Sequence, residues 1–315
     1  MSKTLVVAIG GNSLIRDPQH MTVPDQYAAL GETSSHIAAI IKEGWHVAIG
    51  HGNGPQVGFI LRRSELSAHE LHEVPLDVCG ADSQGAIGYE LQQNLANDFR
   101  RMGMRRQAVT VVTQVEVDAH DPAFASPSKP IGSFMDEATA LRRRDVDGWS
   151  VREDAGRGWR RVVPSPKPVR IVEERAVRAL LHDGFVVITV GGGGIPVVAD
   201  EHGMLHGIAA VIDKDYASAL LATAISADLF VISTSIERVA LDWGKPTQHF
   251  VDRMTVDEAR AHLAEGTHFA PGSMAPKVEA CIGFLDRGGG EAIISSPENL
   301  ELALHGRAGT HIVPS

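Results

Sequence analysis

Three apolar runs in this chain each break into a glycine-rich turn: Leu5-Val-Val-Ala-Ile-Gly-Gly-Asn12, Val47-Ala-Ile-Gly-His-Gly-Asn-Gly-Pro-Gln56 and Val186-Val-Ile-Thr-Val-Gly-Gly-Gly-Gly-Ile-Pro196. An apolar, β-branched run that ends in glycines has the pattern of a buried strand whose chain then turns sharply, with backbone N–H groups able to approach a ligand. Where a helix follows, its N-terminus adds positive potential. Three such turns point to an α/β chain whose site holds several phosphate oxygens rather than one.

The rest of the pattern agrees with that class. Leu5–Ile9 and Trp45–Ile49 are expected strands. Tyr27–Glu43 has apolar residues at helical spacing and stops at Gly44, a further helix begins over Val57–Glu65, and a longer one spans Gln84–Met102 with its stop at Gly103. Gln107–Thr113 is the next strand. This β–α–β–α rhythm predicts a parallel sheet covered on both faces. The rhythm fails from Asp118 to Pro168, where Pro, Gly, Asp and Arg dominate. So long an irregular stretch inside a compact domain is a functional excursion or a small subdomain, and we expect it to protrude and fold over the site. Alternation resumes with a helix over Ile171–His182 and a strand over Phe185–Val190. An Ala-rich helix follows Val211-Ile-Asp-Lys-Asp-Tyr216 and ends near Ala227, before a strand over Leu229–Thr234. Helices over Val256–Glu265 and Pro276–Arg287 and a late strand over Glu291–Ser295 complete the series. A boundary near Gly191 divides the chain into lobes 1–190 and 191–315, with the protrusion at about 118–168 in the first.

Composition excludes several partners. The net charge is −10 and no basic block occurs, which argues against nucleic acid and anionic membranes. No apolar run reaches the roughly 18 residues that a membrane-spanning helix needs. Met-Ser-Lys-Thr runs directly into a strand pattern and leaves no room for a signal peptide, so the cytoplasm is the expected compartment. Cys79 and Cys281, in separate apolar contexts, read as buried free thiols of a reducing compartment.

Familiar catalytic signatures are missing. Gly244-Lys-Pro246 lacks the hydroxyl and earlier glycine of a Walker loop, and Gly58 falls one place beyond the spacing of a dinucleotide fingerprint counted from Gly52. His69-Glu-Leu-His-Glu73 sets its histidines three apart, not four as in a zinc protease, and reads as a solvated helix face. Ser133, Ser165 and Ser273 lack the G-x-S-x-G elbow, and no Cys/His cluster suggests structural zinc. Three lysines stand out instead: Lys129 in Ser128-Lys-Pro-Ile-Gly-Ser133, Lys214 between Asp213 and Asp215, and Lys277 after Phe269-Ala-Pro-Gly-Ser-Met-Ala-Pro276. Each is framed by Gly, Pro or Asp, which fix the local backbone. Phosphoryl transfer needs such cations, oriented amides and in-line positioning, with no covalent nucleophile from the protein. Asp213 or Asp215 is placed to orient the lysines, or to hold Mg²⁺ through water.

These residues resemble the amino-acid kinase fold family and, within it, the carbamate kinases. The resemblance rests on Ile9-Gly-Gly-Asn12, His51-Gly-Asn-Gly-Pro-Gln-Val-Gly58, Ser83-Gln-Gly-Ala-Ile-Gly-Tyr89, Lys129-Pro-Ile-Gly132 and Glu153-Asp-Ala-Gly-Arg-Gly-Trp-Arg160. It continues through Val163-Pro-Ser-Pro-Lys-Pro168, Gly191-Gly-Gly-Gly-Ile-Pro-Val197, Ala210-Val-Ile-Asp-Lys-Asp215 and His268-Phe-Ala-Pro-Gly-Ser-Met274 with Pro276-Lys277. It implies an open αβα sandwich around a mainly parallel sheet of about eight strands, a small protruding subdomain, and a homodimer. It implies ATP or ADP with Mg²⁺ in the C-terminal lobe, carbamate or carbamoyl phosphate in the N-terminal lobe, and reversible phosphoryl transfer between them. Carried onto this sequence, Lys129, Lys214, Lys277 and Asp213 would be catalytic, with Asp213 organising the lysines. Gly10, Gly11, Asn12, Gly52, Asn53 and Gly54 would bind the carbamoyl and phosphoryl groups. Gly192, Gly193, Asp213, Lys214, Ser233, Ser235, Ala270, Pro271, Gly272, Met274 and Lys277 would border the nucleotide. Ser233-Thr-Ser-Ile-Glu237 is more polar than the glycine-containing turn the resemblance implies. A related kinase acting on another small carboxylate, or a nucleotide or carbamoyl-phosphate sensor on the same scaffold, shares most of these features.

Overall fold

The first strand, β1 (Thr4–Ile9), buries alternate side chains in opposite directions: Leu5, Val7 and Ile9 enter one hydrophobic cluster, Val6 and Ala8 another. A strand apolar on both faces belongs inside a sheet that is covered twice. The computed structural model describes residues 3–15, 17, 19–154, 158–269 and 273–315. After β1 comes α1 (Val23–Lys42), opened by a capping box between Thr22 and Asp25. β2 (His46–His51), α2 (Gly54–Ser67), α3 (Leu76–Arg101) and β3 (Ala108–Thr110) follow. α3 begins at Leu76 rather than at Gln84. Leu76 and Cys79 extend its buried face into a cluster with Val57, Ile131 and Val163, and nothing lies within 4 Å of where a Cβ would stand on Gly80 or Gly85. Tertiary packing thus carries the helix back through Gly80, a residue of low helix propensity. His69–Glu73 is exposed, as expected, but lies in a turn beyond the end of α2.

β4 (Gln114–Val117) leads into the stretch that looked irregular, and much of it is regular. β5 (Lys129–Met135), α4 (Glu137–Asp147), β6 (Val151–Glu153) and β7 (Trp159–Val163) form a small subdomain, with an antiparallel sheet in the order β5-β7-β6. Its strands are short, and α4 buries only Ala140, so neither shows a hydrophobic period. The helix is set instead by its ends: Asp136 accepts from the Thr139 N–H at 2.7 Å, and Gly148 caps the far end at φ 67°. β8 (Pro168–Ile171) takes the place of the expected first turn of a helix, because Ile171 pairs with Val115 of β4, and α5 (Glu174–His182) starts after it.

The remaining elements are β9 (Val186–Ile188), β10 (Ile195–Ala199), β11 (Leu205–Gly207), α6 (Lys214–Ala224), β12 (Leu229–Ser233), β13 (Val239–Leu241), β14 (His249–Val251), β15 (Arg253–Thr255), α7 (Val256–Glu265), α8 (Met274–Leu285), β16 (Glu291–Ser295), α9 (Leu300–Leu304) and β17 (Thr310–Val313). Among the described residues the central sheet has eight strands in the order β15-β17-β16-β12-β1-β2-β9-β3, parallel except between β16 and β17. α1, α3 and α9 cover one face and α5, α6, α7 and α8 the other. This is the αβα sandwich expected. β1 sits mid-sheet, with β2, β9 and β3 on one side and β12, β16, β17 and β15 on the other. The turns after β1 and β2 therefore emerge side by side at the carboxyl ends of these parallel strands, where open α/β sheets place their ligands. Cys79 and Cys281 are buried and free. No helix among the described residues is long and apolar enough to cross a membrane.

Candidate active site

β1 ends at Gly10, whose N–H donates to the Ser233 carbonyl of the neighbouring β12 at 3.0 Å. A Cβ on Gly10 would stand 3.0 Å from that same oxygen, so the turn sits tightly on β12, whereas Gly11 faces open space. After β2, a Cβ on Gly52 would lie 3.4 Å from Lys214 Cδ and 3.6 Å from the Gly11 nitrogen. The two glycine turns and Lys214 thus converge on one point. Asn53 is the N-cap residue of α2, and its amide donates to Ser83 Oγ of α3 at 2.8 Å. Gly54 faces open space at the start of that helix.

The third glycine turn packs beneath the second. Gly191, Gly192 and Gly193 are buried, and a Cβ on Gly192 would stand 1.9 Å from the Asn53 amide. Gly192 therefore braces Asn53 of the turn after β2, while Gly193 abuts the Ile212 carbonyl just before Asp213. Gln84 of α3 secures the same turn, donating to the Gly191 carbonyl at 3.0 Å and to the Thr113 carbonyl at 3.1 Å. His51 lies beneath it. Its Nδ1–H donates to the Gly52 carbonyl at 2.9 Å, and its buried Nε2 has no hydrogen-bond partner among the described residues. Burial pushes the imidazole down to about 4 against that hydrogen bond, so it is neutral. The quoted Ser83-Gln84 and His51 blocks carried the family likeness; the structure assigns them to bracing.

The three lysines meet two aspartates. Lys129 of β5 donates to Asp213 Oδ2 at 2.6 Å; Lys214 donates to Asp215 Oδ1 at 2.8 Å and Lys277 to Asp215 Oδ2 at 3.1 Å. Asp213 caps α6 and accepts from the Asp215 N–H at 2.9 Å. Asp213 was expected to organise the lysines and holds Lys129; Asp215 holds the other two. Its acid flanks Lys214 in sequence, but nothing local shows that Lys277 arrives from α8 on the same carboxylate. Burial alone would raise the Asp213 carboxyl; the Lys129 and Lys214 ammoniums and the hydrogen bonds from Lys129 and the Asp215 N–H hold it well below the usual range. Burial lowers Lys214, but Asp215 and Asp213 outweigh it and leave its affinity for the proton raised. All three lysines keep N–H donors beyond those bonds.

Gly10, Gly11, Lys214, Thr234, Ser235 and Lys277 line a cavity of about 630 Å³, walled on the α1 side by Thr33 and His36. Ser235 faces it. Ser233 does not: it is fully buried at the end of β12, with its hydroxyl unpartnered among the described residues. Met274 opens α8, half-buried against the core, three residues ahead of Lys277. Ala270, Pro271 and Gly272, and the side chain of Asn12, lie outside the described residues. A second cavity, of about 400 Å³, separates α2 from the subdomain and is lined by Phe59, Phe134, Trp149 and Arg161. It contains none of the lysines.

The family model for the amino acid kinase family matches residues 3–296. The chain belongs to that family. It is 48% identical over 318 residues to the carbamate kinase-like protein YahI of Escherichia coli, covering 99% of each chain. It is 45% identical over 314 residues to the carbamate kinase of Thermococcus kodakarensis, again with 99% of each chain covered. A solved structure of carbamate kinase from Giardia lamblia bound to AMP-PNP superposes with a TM-score of 0.92 at 39% identity, covering 100% of this chain and 99% of that one. Membership in the family accounts for the sandwich.

Proposed function

We propose that the protein is a carbamate kinase, reversibly transferring the γ-phosphoryl group of ATP to carbamate to give ADP and carbamoyl phosphate. The observation that carries this reading is the convergence of Lys129, Lys214 and Lys277 on two aspartates beside a cavity lined by Gly10, Gly11, Lys214 and Lys277. In the forward direction a carbamate oxygen attacks the γ-phosphorus, the bond to the β–γ bridging oxygen breaks, and ADP leaves with that oxygen's electrons. Negative charge spreads over the transferring group, and the lysines and turn amides stabilise it without changing position. Gly10, Gly11, Asn12, Gly52, Asn53 and Gly54 hold the small substrate in lobe 1–190. Ser235, Met274 and the 270–272 segment border the nucleotide in lobe 191–315, and Asp213 and Asp215 fix the lysines.

A magnesium ion accompanies the nucleotide. Asp213 and Asp215 already accept from lysines. That donor set suits an ion held mainly by phosphate oxygens and water, as Mg²⁺ commonly is, and its charge would offset that of the phosphates. The chain works in the cytoplasm as a homodimer; α3 leaves Val78 and Tyr89 exposed as apolar contact surface. In cells the reaction runs towards ATP during catabolism of arginine, agmatine or purine-derived compounds.

The test is an ADP-release assay with carbamate, acetylglutamate and aspartate as alternative acceptors. Turnover with carbamate supports the proposal. Turnover only with an amino acid would assign the site to another small carboxylate, and nucleotide binding without any turnover would make the chain a sensor. Sedimentation at micromolar concentration reads the dimer separately.

A further inference from the structure

A cluster at the far end of α7 has no part in the chemistry above. His262 and Glu265 lie three apart on that helix and share a face. Gly266 then caps the helix at φ 67°, and the chain returns so that His268 faces both. His268 Nε2 is 2.7 Å from Glu265 Oε2, and His262 Nδ1 is 4.0 Å from Glu265 Oε1. The two imidazole rings stand edge to face, with centroids 5.1 Å apart. One ligand atom from each of the three residues lies within 4.8 Å of the others.

Two details distinguish this cluster from a chance surface grouping. His262 Nδ1 is buried and has no hydrogen-bond partner among the described residues. Such an atom is costly to leave unsatisfied. On the other side, His268 Nδ1 is 3.3 Å from Asp242 Oδ1, which places a carboxylate behind the imidazole as in carboxylate–histidine–metal arrangements. The Asp242 N–H also donates to His268 Nδ1 at 3.3 Å, so without a metal the ring carries its proton on Nε2, towards Glu265. With a metal on Nε2, that proton would pass to solvent and Nδ1 would take one from solvent, exchanging the bond from the Asp242 N–H for one donated towards Asp242 Oδ1.

We propose that His262, Glu265 and His268 form a binding site for a divalent transition-metal ion of the zinc class, joining the end of α7 to the segment that leads into α8. Two imidazole nitrogens and one carboxylate oxygen are the ligand set of three-protein-ligand zinc sites, with water in the fourth position. Magnesium and calcium prefer all-oxygen sets, so this ion is distinct from the one that travels with nucleotide. Glu265 is more than half exposed and gives the ion a path from solvent. The site goes beyond the kinase reading and does not depend on it.

The experiment uses the full chain, stripped with a chelator and free of nucleotide. Zinc chloride is titrated against a chelating dye, and cobalt chloride is followed by its visible absorption. We expect one zinc per chain and the strong visible bands of a four- or five-coordinate cobalt ion. Glu265→Gln and His268→Gln each weaken zinc binding by about tenfold or more, and Asp242→Asn by about tenfold. Circular dichroism checks the fold of each variant; if His268→Gln does not fold, the exposed Glu265→Gln decides. Absence of stoichiometric binding would overturn the site. So would affinity unchanged in Glu265→Gln, which would assign the zinc to others among the 15 histidines.

Discussion

Lys214 and Lys277 line the cavity from inside the sandwich, whereas Lys129 comes from outside it and meets the cluster through Asp213. The first two stand at the N-terminal ends of α6 and α8, helices packed on each other and on the central sheet, and they share the nearly inaccessible Asp215. Lys129 is carried by a three-stranded sheet that meets the main body chiefly through α2 and a small cluster around Val57, Ile131 and Val163. Its aspartate is nearer to solvent. At the seam, Gly58 of α2 faces Gly132 of β5 so closely that a Cβ on Gly58 would stand 2.0 Å from the Gly132 Cα. Two charges of the site are thus set by the core, while the third is set by how a small subdomain seats against one helix.

The largest effect expected from breaking this arrangement is at Asp215. Asp215→Ala leaves two half-buried lysines facing each other without their buried carboxylate and should cost about 3 kcal/mol in urea unfolding. Asp213→Ala, on the seated side, should cost about 2 kcal/mol. Acid offers a second probe of the core. The unfolded His51 takes a proton near its ordinary pKa of 6.5, but the folded one does so only at about 4. Folding is therefore penalised progressively as pH falls through that window. This residue's share reaches about 3 kcal/mol, and the corresponding slope in stability against pH should be missing from His51→Gln.

Turnover separates the two kinds of lysine. Lys277→Ala should lower kcat by roughly 10² or more in steady-state assays. Gly58→Ala should give the smallest effect, about tenfold in kcat with nucleotide KM unchanged, because the new methyl displaces β5 and with it Lys129, not the nucleotide side. An equal rise in nucleotide KM would show instead that the whole site had shifted.

Much of the sandwich was legible because its strands are buried on both faces and end in glycine, a pattern written in local sequence from Leu5 to Gly11 and from Val47 to Gly54. Helix α7 covers the Val256–Glu265 range expected of it, and the structure closes it with Thr255 as its cap and Gly266 as its stop. What escaped depends on distant partners. The early turns of α3 are held by Val57 and Ile131, Ile171 is drawn into a strand by Val115, and Gly192 packs on Asn53, more than a hundred residues away in the chain. Within the site the three lysines were readable from their framing residues, but the shared grip of Asp215 joins α6 to α8 and has no signature in either segment. The subdomain hid its helix because capping residues and charge, not a hydrophobic stripe, specify it.

The most direct measurement mixes the purified chain with ADP, Mg²⁺ and carbamoyl phosphate and follows ATP by luciferase, with Lys277→Ala in parallel. Protein-dependent ATP that vanishes in the variant is the expected result. No ATP from a chain that still binds ADP would contradict a carbamate kinase built on these three lysines.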